Sequence, residues 1–188
     1  MYNKNTAYVI GLSIGDGNLS DSNGRCPRLR ITCDNKYPLL RERIVDSLNK
    51  LFPNNKISEY VRKEKCIDVY CYSKSLEGIL GWKAKGGSKY KQNVRIPEWI
   101  FTRKIYIKSC LKGLFETDGS IYKDRKYTYV NFTTIINDLK NDVILMIGIL
   151  GYKCNQAKVM QRSGKLKYVV RVCRRSEDFI KEINIVKK

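Results

Sequence analysis

The chain has 188 residues, 43% of them hydrophobic, with 37 Lys and Arg against 18 Asp and Glu and a formal charge of +19. That length fits one ordinary domain or two small fused halves, and basic residues spread from end to end suit a polyanionic partner, foremost nucleic acid. Histidine is absent, which excludes Ser-His-Asp and Cys-His nucleophiles and His-ligated zinc.

The first predicted element is an apolar helix that closes on Val9-Ile10-Gly11-Leu12-Ser13-Ile14-Gly15-Asp16-Gly17. Polar, turn-rich sequence follows, then Arg28-Leu29-Arg30-Ile31-Thr32, whose period-two alternation predicts a half-buried strand. Leu40, Ile44, Leu48 and Leu51 form a helical stripe that stops before Pro53. Lys56–Arg62 and Cys66–Tyr72 read as two further strands. Ser75 offers an N-cap to a short helix carrying Leu76 and Ile79. Residues 81–97 read as a connector, with Gly86-Gly87, several lysines and Pro97. It is expected to be a solvated linker, with Lys89 and Lys91 as candidates for contact with a phosphate backbone.

The pattern then repeats. A second helix closes on Leu111-Lys112-Gly113-Leu114-Phe115-Glu116-Thr117-Asp118-Gly119, with its aspartate 102 residues after Asp16. Tyr127–Phe132 reads as a strand. Leu139, Val143, Ile147 and Leu150 form a helix ended by Gly151, a C′ cap. Gln156–Arg162 and Lys165–Cys173 read as a hairpin turning at Ser163-Gly164. Ser176 is the expected N-cap of a last helix bearing Phe179, Ile180 and Ile183. Landmarks in one order at nearly equal offsets make the chain an internal repeat. The predicted class is α+β, a pseudo-two-fold pair of αββαββα halves: residues 1–80, the connector 81–97, and residues 98–188.

Gly11 and Gly15 share one face of the first motif helix, and Gly113 and Thr117 one face of the second. Small residues at that spacing let two helix backbones approach closely, a steric effect best known from membranes. A helix-interior Gly costs roughly 1 kcal/mol against Ala, so its presence in both copies marks a close interface. Asp16 and Asp118 would then lie together at helix C-termini, where the macrodipole and mutual repulsion both disfavour them. A divalent cation with oxygen ligands, chiefly Mg²⁺, relieves both penalties. Gly17 and Gly119 suit the left-handed conformation that ends a helix. Glu116, whose counterpart is Ile14, reads as a surface residue or a support to the metal ligands.

The paired nonapeptides resemble the signature of the LAGLIDADG homing endonucleases, in the single-chain form with two motifs. Val94–Ile100 and Phe132-Thr133-Thr134 add to the resemblance. It implies a saddle with the motif helices at its central interface and two sheets lying in the major groove of double-stranded DNA. It implies metal binding by Asp16 and Asp118, assisted by the carbonyls of Gly15 and Thr117, with two or three Mg²⁺ ions for which Mn²⁺ can substitute. The first copy departs from the family at Ile14, and both strand ends depart from it. Cys33-Asp34 and Thr134-Ile135 stand where the family often places Gln or Asn and then a lysine, which leaves Lys36 as the candidate supporting lysine.

Strand periodicity points to a DNA face independently. Arg28, Arg30 and Thr32 share one face; Lys56, Ser58, Tyr60 and Arg62 another; Lys158 and Arg162, with Lys165, Lys167 and Arg171, complete the candidate DNA-binding set. Such side chains can read base edges from a β-ribbon. The expected function is a site-specific, metal-dependent DNA endonuclease making a double-strand break at a long asymmetric target in intron homing. The expected state is a monomer without an obligate protein partner or membrane contact. An intron RNA maturase and a non-cutting DNA-binding regulator of the same fold are the alternatives, and the nuclease core of an intein is a further one. The seven cysteines are odd in number and form no C-x-x-C, which argues against a zinc ribbon or disulfide framework. They are expected to be mostly buried thiols in a reducing intracellular compartment, cytoplasm or organelle.

Overall fold

The computed structural model describes residues 2–21, 24–160, 164 and 166–185. The first half runs α1 (Lys4–Gly15), β1 (Gly17–Ser20), β2 (Arg28–Asp34), α2 (Pro38–Leu51), β3 (Ser58–Val61), β4 (Cys66–Tyr72) and α3 (Leu76–Leu80). After a 3₁₀ turn at Glu98–Thr102, the second runs α4 (Lys104–Thr117), β5 (Gly119–Asp124), β6 (Tyr127–Thr134), α5 (Asn137–Ile149), β7 (Lys153–Met160), β8 (Leu166–Cys173) and α6 (Ser176–Ile183). Each half holds one antiparallel four-stranded sheet, in the orders β1-β2-β4-β3 and β5-β6-β8-β7. The αββαββα repeat is therefore as expected, and so is the α+β class.

α1 is buried on every side from Thr6 to Ile14, as a helix enclosed by its own domain must be. Its most extensive helix partner among the described residues is α4. Asn3 caps it by accepting the Thr6 N–H at 2.9 Å. α2 buries Leu40, Ile44 and Leu48, and α5 buries Leu139, Val143 and Ile147, the predicted stripes. Gly151 is the C′ cap, with φ +86. The Tyr152 N–H reaches Ile147 O and the Gly151 N–H reaches Gly148 O, the paired bonds of a Schellman motif.

Three expectations about these elements are corrected. β1 and β5 begin directly after the aspartates, where turn-rich sequence was expected. Gly17 and Gly119 are absent from the residues with positive φ, so left-handed backbone is not the reason for them. Added Cβ atoms there would lie 2.5 Å from Ser13 Cα and 2.7 Å from Phe115 Cα, so glycine is needed where the strand leaves its own helix. Ser176 is not a cap: Arg175 holds the N-cap position, and the Ser176 hydroxyl turns back to Val172 O at 3.4 Å. Ser75 does hold its N-cap position, but without a side-chain cap bond.

The connector is not a solvated linker. Trp82, Val94 and Ile96 are buried. Asn93 donates to Asp138 at 2.7 Å; Arg95 donates to Asp142 at 2.7 Å, and so does the Ile96 N–H at 3.0 Å. These contacts pin residues 93–96 to α5.

Candidate metal and nucleic-acid site

The two motif aspartates have nearly the same backbone. Asp16 ends α1 at φ −87, ψ 6, and Asp118 ends α4 at φ −85, ψ 0, both in the sparsely allowed bridge region. The N–H groups of Asp16 and Asp118 close their helices on Leu12 O and Leu114 O at 3.1 and 2.9 Å. A turn of helix plus a glycine-permitted strand start thus delivers each carboxylate to the same kind of place.

Backbone contact between the helices brings the two places together. A Cβ on Gly113 would stand 2.5 Å from Tyr8 O and 2.6 Å from Leu12 N, and one on Gly11 would run into the Cys110 carbonyl. A Cβ on Gly15 would meet Thr117, 2.5 Å from its Cβ. All four residues expected at the helix interface are there. Thr117 is held by hydrogen bonds from its hydroxyl to Gly113 O (2.9 Å) and Leu114 O (3.0 Å).

A lysine from the connector stands beside these helix ends. Lys89 Nζ donates to Ser13 O at 3.3 Å, to Ile14 O at 2.5 Å and to Gly15 O. A cation here meets the negative end of the α1 dipole. Burial pushes the Lys89 pKa below its ordinary value, and the charges of Asp118 and Asp16 oppose that shift. Lys36, the sequence candidate, lies elsewhere: it is exposed and pairs with Asp34 at 3.1 Å. A connector lysine carries no sequence signal for this role, because 29 residues separate it from Asp118. Beside Lys89 lies an open cleft whose lining includes Gly15, Asp118, Thr134, Ile135 and Lys167.

This donor set fits a hard divalent cation. Three backbone carbonyls already converge on one ammonium in the field of two carboxylates. Among the described residues no three His, Cys, Asp or Glu side chains gather as a metal cage. Mg²⁺ is commonly held by one or two carboxylates completed by water and substrate phosphate, and that is the kind of set present.

Glu116 is neither a surface residue nor close to this cleft in role. It is 1% exposed, accepts the Tyr8 hydroxyl at 2.5 Å and the Arg43 guanidinium at 3.1 Å. It ties α4 to α1 and α2. Its counterpart Ile14 is buried in the core.

The strand register sorts the candidate DNA contacts by face. Arg28, Arg30 and Thr32 stand opposite Tyr72, Tyr70 and Asp68 on β4, and Ser58 and Tyr60 of β3 stand opposite Tyr70 and Asp68. These therefore share one face, which Arg62 continues through its N–H to Cys66 O at 2.8 Å. Lys56 is exposed but precedes β3, outside the paired strand. In the second sheet Arg171 stands opposite Asn131 and Asn155, with Lys167 four pairs along, on the same face, opposite Val159. Lys158 is a correction: it pairs with Tyr168, on the opposite face, where Tyr168 meets Lys140 of α5. Arg162 and Lys165 lie outside the described residues, as does Ser163 of the expected turn.

Residues 106–184 match the sequence profile of the LAGLIDADG-like domain. The chain is 30% identical over 173 residues to the replication factor C small subunit of Methanocaldococcus jannaschii, covering 89% of this chain and 8% of that protein. It is 29% identical over 147 residues to a DNA polymerase of Thermococcus sp. (strain GE8), covering 76% of this chain and 8% of that protein. It thus spans under a tenth of the length of these relatives. Its structure is similar to the homing endonuclease I-DmoI in complex with DNA and Mn, with TM-score 0.68 and 20% identity over 98% of this chain and 97% of that chain. It is also similar to the N-terminal LAGLIDADG domain of DUF199/WhiA, with TM-score 0.65 and 13% identity over 98% of this chain and 84% of that chain. The chain has the LAGLIDADG fold in its two-motif, single-chain form, and its second half carries a LAGLIDADG-like domain.

Proposed function

We propose that this two-motif chain of the LAGLIDADG fold is a site-specific DNA endonuclease that breaks both strands of a long asymmetric duplex in a metal-dependent reaction. The observation that carries the proposal is the convergence of Asp16 and Asp118, on closely packed helices, around the half-buried Lys89. A non-cutting regulator or an RNA maturase needs the sheet faces but not two carboxylates and a half-buried ammonium gathered there.

Asp16 and Asp118 would hold the divalent ions, with the backbone carbonyls of Gly15 and Thr117 beside them. When bound, such ions lower the pKa of a water molecule and stabilise the attacking and leaving oxygens of a phosphodiester. Lys89 adds a positive charge at the same centre, fixed by α1 carbonyls, where a phosphate's charge builds in the transition state. The close contact of Gly11 and Gly113 with the facing backbone sets the separation of the two carboxylates, and so the offset between the two scissile bonds. The sheet faces position the duplex through phosphates and base edges.

Homing is the biological setting we propose, and matches carried inside the chains of other proteins favour the intein-core alternative over an intron-encoded protein. The relatives that match over only about a twelfth of their length include a replication factor C small subunit and a DNA polymerase. One segment shared by proteins of different activity is what a self-contained mobile module would leave. The decisive experiment incubates the protein and Mg²⁺ with a randomised duplex library and sequences the ends. Recurrent double-strand breaks at one long site, lost in Asp16→Asn, support the reading. Tight duplex binding with no cutting in Mg²⁺ or Mn²⁺ would instead establish a regulator.

A further inference from the structure

The DNA-facing side of each sheet contains one arginine whose Nε is already occupied by a side-chain acceptor. In the first half, Arg62 Nε donates to Asp68 Oδ2 at 2.7 Å. In the second, Arg171 Nε donates to Asn131 Oδ1 at 3.0 Å. In neither do the two terminal nitrogens make a hydrogen bond among the described residues. A guanidinium is planar, so fixing Nε orients the whole fork.

The surroundings add to the constraint. Asp68 is 4% exposed, yet it is charged on a face meant for a polyanion. Its other oxygen accepts the Thr32 hydroxyl at 2.6 Å, and Arg30 Nη1 stands 3.8 Å away. Burial opposes ionisation, but the Thr32 and Arg62 hydrogen bonds and the charge of Arg30 outweigh it and hold the carboxyl below its ordinary pKa. With both oxygens engaged and almost no exposed surface, Asp68 is poorly placed to contact a base. Its chemistry is to hold arginines. In the second half the Arg171 guanidinium lies 5.0 Å from the Tyr129 ring centroid, and Tyr129 stacks on Tyr122 at 5.1 Å.

The two clamps are not copies of each other. Gly17 pairs with Ile31 and Gly119 with Phe132, which makes Arg30 the counterpart of Asn131. By the same register Asp68 corresponds to Val169 and Tyr70 to Arg171. The repeat has kept the fold and moved the fork.

We propose that Asp68 and Asn131 are positioning residues that preset Arg62 and Arg171 as guanine-reading forks at non-equivalent places in the two half-sites. This rests on the duplex-DNA reading above. An Arg fork matches O6 and N7 of guanine in the major groove, and locking it beforehand reduces the ordering that binding would otherwise require. The target is accordingly not a palindrome, although the protein is built as a pseudo-two-fold.

The test selects bound duplexes from a randomised library at fixed ionic strength, for the wild type and for Arg62→Lys, Asp68→Ala, Arg171→Lys and Asn131→Ala, with thermal unfolding of each. Arg62→Lys and Asp68→Ala should flatten one guanine preference, the same for both. Arg171→Lys and Asn131→Ala should flatten a different one. Each loss should be about 5- to 150-fold, the discrimination carried by one bidentate contact, with preferences elsewhere unchanged. Asp68→Asn, which keeps the acceptor oxygen that Asn131 uses in the other half, should recover part of the first preference. If Asp68→Ala or Asn131→Ala weakens every sequence alike, or leaves the guanine preference intact, the positioning role is refuted. If Asp68→Ala does not fold, Asn131→Ala decides by the same criterion. A wild-type protein that retains no duplex sequence at all sinks the DNA reading itself, which is a different result from an altered profile.

Discussion

Three charged side chains decide what the central cleft can do. Asp16 and Asp118 repeat each other's backbone within a few degrees, and Lys89 supplies the cation that two carboxylates at helix C-termini require. Asp16→Asn and Asp118→Asn should each abolish double-strand cleavage in Mg²⁺ while leaving duplex affinity nearly intact, checked by end-labelled cleavage beside filter binding. Either variant cutting both strands at the wild-type rate would refute the metal assignment. Lys89→Met keeps the side-chain length and removes the charge. It should slow cleavage by about 10²–10³-fold, the range seen when one preorganised donor to developing charge is removed, and shift affinity far less. Were Lys89 instead a phosphate contact in a solvated connector, as its sequence context suggests, the variant would weaken binding to all sequences and spare the rate of bound substrate.

The motif helices act as one element because their backbones touch. At Gly113 a methyl group would lie 2.5 Å from the Tyr8 carbonyl oxygen, and a carbonyl in a helix cannot rotate away as a side chain would. Gly113→Ala should therefore destabilise the protein despite gaining roughly 1 kcal/mol of helix propensity, with a net loss on the order of 1–3 kcal/mol from overpacking. Gly148, in the last turn of α5, has nothing within 4 Å of an added Cβ. Gly148→Ala should stabilise by about 0.5–1 kcal/mol. Denaturant melts of the two variants run side by side check both signs, and equal effects would mean that helix propensity, not helix contact, dominates. Glu116 closes the same interface from another direction, through Tyr8 and Arg43. Burial, reinforced by the negative charge of Glu116, pushes the Tyr8 phenol pKa well above its ordinary value, so this link stays intact across neutral and mildly alkaline pH.

Across the whole molecule, a charge of +19 on 188 residues would make the proposed association with DNA strongly salt-dependent. If the sheet faces engage about six to ten phosphates, affinity should fall by roughly 10³–10⁵ between 50 and 200 mM salt. A titration series in fluorescence anisotropy measures the slope, and a flat response would exclude a phosphate-tracking interface. The internal repeat supplies within one chain the two-fold relation that a homodimer makes from two. Sedimentation without DNA should therefore give a monomer, and an obligate dimer would contradict that expectation.

The repeat itself was legible because its signals are local. A nonapeptide ending in Asp-Gly, a period-two strand and a period-3.6 stripe each lie within a short stretch, and their order shows the repeat without any knowledge of contacts; the first strand of each half, β1 and β5, carries no such pattern and lies where turn-rich sequence was expected. The small residues at Gly11, Gly15, Gly113 and Thr117 announced a close helix pair for the same reason: a missing side chain is visible in sequence. Chain-distant partnerships were not legible. Lys89 reaches the α1 carbonyls only because residues 93–96 are pinned to α5. Glu116 is buried only because Tyr8 and Arg43, 108 and 73 residues away, converge on it. Lys158 leaves the DNA face because strand register, one residue out of step with a count of basic side chains, is set by pairing. Asp68 looks like one more acid in a strand until Thr32, Arg62 and Arg30 close around it. Local pattern determines which elements form; which charges meet is a property of packing, because the free energy that pairs them exists only when the chain has brought them out of water together.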